Sequence, residues 1–213
     1  MKTLEQVFSA IQMGVTNNKP SDDSEVPMSY IQAKADEARE ILLTQYIKQF
    51  GVVPPNCIRI HDGVNYSTET VGGQTRYYFD LPVSVLVLPR DKGIFEVWNN
   101  ARTEIWNPMT SGEYRIMRTM RWSQPSASYP CYQRQGLNRV YLYFGNKNMS
   151  GYVFSLGLVH LDTSAYAMTD EYPIATELLQ TLIDKTVATI LASYQTPYDA
   201  SNDGSAVRSA PQV

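Results

Sequence analysis

The spacing of apolar residues changes period twice along this chain, and that change limits the folds open to it. From Met28 to Phe50 the apolar residues Ile31, Ala35, Ala38, Leu42 and Tyr46 recur at three- and four-residue steps, with Ile41 and Phe50 flanking. This is the stripe of one buried helix face. Pro27 suits its first turn and Gly51 its C-terminal stop. Lys34, Asp36, Glu37, Arg39 and Glu40 fall on the other side and read as a solvated face. Upstream, Thr3 with Gln6 three residues on is a capping-box pattern. Leu4, Val7, Phe8 and Ile11 then predict a short helix ending near Gly14. It is too short to stand alone, so it covers its own core or docks on a neighbouring subunit. A polar linker, Thr16 to Glu25, separates the two helices.

Helical spacing returns after Glu171, through Ile174, Leu178, Leu182, Ile183, Val187, Ile190, Leu191 and Tyr194. Pro173 fits a first helical position and Thr196-Pro197 a stop. Between these helical zones the period is two. Strands are expected at Ile58–Ile60, Tyr66–Val71, Arg76–Leu81, Val83–Leu88, Ile94–Trp98, Tyr114–Met117, Arg139–Phe144 and Tyr152–Leu161. Turn signals such as Asp62-Gly63, Gly72-Gly73 and Gly145-Asn146 divide them, and Gly157 marks a bulge or a close backbone approach. Strands segregated from helices argue for an α+β fold with an antiparallel sheet rather than βαβ units. The expected organisation is a helical segment over 1–51, a β-rich region over 52–168, a packed helix over 169–195 and an extended tail over 196–213.

A chain of 213 residues, 43% hydrophobic and with two cysteines, can build a core without disulfides or a structural metal. No apolar stretch approaches the roughly 20 residues of a membrane span, and the N-terminus carries Glu5 and Gln6 where a signal peptide would be apolar. No membrane partner is expected. Cys57, His61, Cys131 and His160 lack the close second pair of a structural zinc site, so no metal is assigned. No nucleophile–base–orienter pattern and no phosphate loop is present, so no catalytic residue and no cofactor is assigned.

The distinctive charge feature is a span from Tyr114 to Leu161 without an acid, holding Arg115, Arg118, Arg121, Arg134, Arg139 and Lys147. The net charge is −3, so the rest of the chain carries −9 against the +6 of this span. Trp122, Tyr129, Tyr132, Tyr141 and Tyr143 interleave with the cations. Three readings stay open. The arginines are solvated or pair with the acidic helices of the same chain, meet another subunit, or bind nucleic acid by phosphate contact and base stacking.

Leu81-Pro82, Gly93-Ile94-Phe95-Glu96-Val97, Glu171-Tyr172-Pro173-Ile174 and the closing Pro197-Tyr198-Asp199 with Asn202-Asp203-Gly204 form a set within this layout. In these patterns the chain resembles head–tail connector (adaptor, or ring) proteins of tailed bacteriophages, of the crAss-like short-tailed group. The resemblance implies a structural virion protein and no enzyme. It implies a homo-oligomeric ring of twelve copies below the portal protein, touching other tail or ring proteins. Genomic DNA would pass through the channel without sequence-specific binding, and assembly would take place in the bacterial host cytoplasm. It makes Pro197, Tyr198, Asp199, Asn202 and Asp203 candidates for docking on the portal or an adjacent ring. Arg115, Arg118, Arg121, Arg134 and Arg139 remain candidates for a subunit or nucleic-acid surface.

Overall fold

The computed structural model describes residues 2–17, 26–120 and 124–195. The chain is α+β. Helices α1 (Leu4–Asn17), α2 (Met28–Phe50) and α4 (Leu179–Gln195) pack on one another beside a curled eight-stranded sheet. The capping box forms as expected: Thr3 N–H donates to Gln6 Oε1 at 3.1 Å, and Gln6 N–H to Thr3 Oγ1 at 3.3 Å. α1 continues past Gly14 to Asn17, because Gly14 lies against Val187 of α4, where an added Cβ would stand 2.9 Å from a valine methyl. Gly51 ends α2 in the left-handed conformation, with its N–H on Ile47 O.

The strands are β1 (Arg59–Asn65), β2 (Ser67–Val71), β3 (Gln74–Asp80), β4 (Ile94–Asn99), β5 (Ile105–Pro108), β6 (Cys131–Gln135), β7 (Arg139–Tyr143) and β8 (Val153–Leu158). Their order is β1-β8-β4-β5-β6-β7-β3-β2. All neighbours run antiparallel except β5 and β6, so the sheet is mixed. Phe79 of β3 and Phe154 of β8 stand far apart in that order, yet their ring centroids are 5.2 Å apart. The sheet therefore curls over its own core, which Trp106, Val140, Leu142, Phe144 and Leu156 complete. β8 serves both cores: Phe154, Leu156 and Leu158 face the sheet's interior, and Val159, just beyond it, joins the helical cluster.

Several expectations change. Tyr114–Met117 belongs to a helix, α3 (Ser111–Thr119). Thr110 and Glu113 form a complete capping box there, and this local chemistry overrides the short alternation. Val83–Leu88 makes no ladder, only a bridge from Val85 to His160. β5 and β6 are additional to the expected strands, since Pro108 and the polar residues of β6 obscure their alternation. α4 starts at Leu179 after a 3-10 turn, not at Pro173. Glu171 bridges to Thr3, and Tyr172 N–H donates to Lys2 O, which holds this segment extended. Asp62-Gly63 lies within β1, at an irregularity in its pairing with β8, rather than ending a strand. Gly157 is a close approach: an added Cβ would lie 3.3 Å from Ile58 and 3.4 Å from Trp98. Arg39 is not on a solvated face but fully buried.

Candidate functional site

Antiparallel pairing puts directly opposed residues on one face of the sheet. Ser67, Tyr78, Tyr141 and Gln133 are so aligned across β2, β3, β7 and β6. Arg139 of the basic span is on this face, whereas Arg134 alternates to the other side of β6, opposite the buried Val140, and Lys147 lies beyond the end of β7. Arg139 opposes Asp80 across β3 and β7 and donates Nε–H to its Oδ1 at 2.9 Å. It also reaches Glu69 at 3.4 Å and stacks 4.0 Å from the centroid of Tyr78. The hydrogen bond to Asp80, then the interaction with Tyr141, raises the guanidinium's affinity for its proton further. Arg134 is nearly buried, pairing with Asp91 at 2.9 Å and donating to Leu137 O across the β6–β7 turn. Lys147 pairs with Glu104 at 2.6 Å. Three of the six cations are thus matched by acids of the β-region itself.

Arg115 is exposed on α3 and lines a cavity of about 520 Å³ with Arg76, Gln133, Gln135, Tyr141 and Tyr143. A second cavity of about 760 Å³ shares Thr75, Tyr77, Leu142 and Tyr143 with it. No described carboxylate lines either one, although Glu69, opposite Arg76, accepts from the Tyr141 hydroxyl at 2.8 Å. Arg118 is on α3, but its side chain is outside the described set, and Arg121 lies outside the described residues. Pro197, Tyr198, Asp199, Asn202 and Asp203 also lie outside them. Of the described arginines, Arg134 and Arg139 are taken up by different acids, and Arg115 lines the cavity instead.

α3 stands apart from the three packed helices. Ile116 of α3 and Met120, its C-cap residue, are 57% and 46% exposed, while Met117 is half-buried. A capped amphipathic helix normally turns its apolar side to a core. Here Met117 is partly covered and Ile116 meets solvent.

A buried polar centre, which the sequence pattern did not reveal, joins α2 to the end of β8. Arg39 Nη2 donates to His160 O at 2.8 Å and Leu161 O at 2.7 Å. Asp36 accepts from Thr163 N–H at 3.0 Å and stands 3.7 Å from Arg39 Nε. Burial raises the Asp36 carboxyl's pKa against the opposing pull of Arg39 and Thr163. His61 and His160 approach at 2.8 Å between their Nε2 atoms, so one ring donates and the other accepts, which requires at least one neutral imidazole. Burial, then His61, Arg59 and Arg39, push His160 down to about 4. Burial pushes the Cys57 thiol up to about 12 and Cys131 to about 11, which disfavours the reactive thiolate.

Among the described residues no group of three or more His, Cys, Asp or Glu side chains is placed to hold a metal ion. No described helix is long and apolar enough to cross a membrane. The chain matches no protein-family model and no curated protein.

Proposed function

We propose that the protein is a structural virion subunit, one copy of a head–tail connector ring that docks on the portal and links it to the tail. The observation that carries this reading is α3. A complete capping box fixes that helix, yet Ile116 on it and Met120 at its end are exposed. Apolar side chains exposed on and beside a capped helix fit contact with another chain, and Arg115 beside them is a residue type favoured at interface centres. In this reading DNA crosses the ring without base-specific contacts, and Pro197, Tyr198, Asp199, Asn202 and Asp203 dock on the portal or an adjacent ring. Cryo-EM of purified virions tests it. A ring of this chain beneath the portal is the expected result; absence from virions, with a purified protein that stays monomeric, would overturn it.

One observation favours a second reading, a nucleic-acid-binding β-module. Arg76 and Arg115 line a cavity beside Tyr141 and Tyr143, which can offer phosphate contacts and rings for stacking. Its test is DNA binding that weakens steeply with salt and is lost in Arg76→Glu/Arg115→Glu.

A further inference from the structure

The β2–β3 hairpin extends beyond the sheet that carries it. β3 pairs with β7 only from Tyr77 to Asp80, so Gln74, Thr75 and Arg76 have β2 alone as a partner. Every residue from Ser67 to Arg76 is exposed except Glu69, which is half-buried. A two-stranded hairpin without a third strand is marginal in water. This one is nonetheless well specified. Gly72 and Gly73 have φ of 59° and 77°, the two positive angles of the turn that suits a tight hairpin.

The turn also fixes which backbone groups are unpaired. A two-residue turn closes on the Val71–Gln74 pair, so the alternation of an antiparallel ladder turns Val71, Glu69 and Ser67 toward β3. The N–H and C=O groups of Thr68 and Thr70 then point to the open side. β2 is a terminal strand of the sheet, and it has no proline, lysine or bulge to protect that edge. The other terminal strand is β1. Its register with β8 shifts between His61 and Val64, so the regular stretch of this edge is Arg59–His61, where Ile60 is 45% exposed.

We propose that the Ser67–Arg76 hairpin is an assembly arm whose open β2 edge adds onto the β1 edge of a second copy of this chain. A free strand edge is satisfied by another strand edge, and β1 is the only other terminal strand among the described residues. The two edges are unlike, so addition is head to tail and can repeat until a ring closes. This proposal rests on the ring reading above and specifies its lateral contact.

Thr68→Pro/Thr70→Pro tests it in the full chain. Proline removes the two outward N–H groups, leaves the β3 ladder intact and is tolerated on edge strands. Sedimentation velocity over a concentration series should show self-association of the parent chain, weakened on the order of 50-fold in the variant. The melting temperature of the dilute protein should barely change. Hydrogen exchange on the parent chain gives a second readout that needs no variant: amides of Thr68 and Thr70 and of β1 should gain protection together on assembly. Assembly with unchanged affinity in the variant overturns the arm while the ring reading stands. Protection at β2 alone, the pattern of two β2 edges paired about a twofold axis, overturns the head-to-tail contact. A parent chain that stays monomeric at every concentration overturns the arm, and its absence from virions as well would overturn the ring reading.

Discussion

Replacing Arg39 by methionine should destabilise the protein by about 3–5 kcal/mol, the cost of removing one partner from a buried charged group. The reasoning is local. Arg39 is wholly buried and makes two short hydrogen bonds, at 2.8 and 2.7 Å, to successive carbonyls just beyond β8. Bonds from a charged donor contribute roughly 1.5–3 kcal/mol each. Methionine keeps much of the volume but supplies no donor, so the His160 and Leu161 carbonyls lose their guanidinium partner. Asp36 loses the cation beside it and remains bound to Thr163 N–H and Oγ1. Adding Asp36→Asn removes the uncompensated charge, keeps an acceptor for Thr163 and should recover about 1–2 kcal/mol. Equilibrium urea unfolding followed by far-UV circular dichroism measures both, with the m-value checking that the unfolded state is unchanged. A loss below about 1 kcal/mol for Arg39→Met, or no recovery in the double variant, would refute the assignment of this arginine as the clamp between α2 and β8.

The other expectations concern pH, backbone approach and the tail. His160 has a folded pKa of about 4, below its unfolded value near 6.5. In that interval the unfolded chain binds more protons, so stability should fall from pH 6.5 to 4, by about 3 kcal/mol in total from this group. His160→Gln should flatten that part of the curve in urea titrations run at several pH values. Gly93→Ala would place a Cβ 2.0 Å from Leu86 O, so backbone must move, and thermal melting should show a loss of about 3 kcal/mol. Thr110→Ala removes the α3 cap and should cost about 1 kcal/mol of helix stability, seen as faster amide exchange across Ser111–Thr119. Deleting Thr196 to Val213 should leave the melting temperature of the isolated protein unchanged while weakening docking on the portal, measured by co-sedimentation.

What the residue order settled alone was local. The Thr3–Gln6 box, the α2 boundaries, the Gly51 stop and the Gly72-Gly73 turn each depend on residues within a few positions of one another. The α+β division followed too, because the apolar period is a property of the chain and not of its partners. Tertiary structure decided whatever depends on distant strands. α4 begins late because Glu171 and Tyr172 are tied to the N-terminus, more than 160 residues away in sequence. Arg39 is buried because the two carbonyls that receive it lie 121 and 122 residues further on, and nothing near Arg39 in sequence announces them. The acid-free span was legible as a run of cations, but Asp80, Asp91, Glu69 and Glu104, which take up Arg139, Arg134 and Lys147, come from outside it. Charge pairing acts across space at a few ångströms. A count along the chain therefore finds the charges, and only the folded sheet shows which of them are matched.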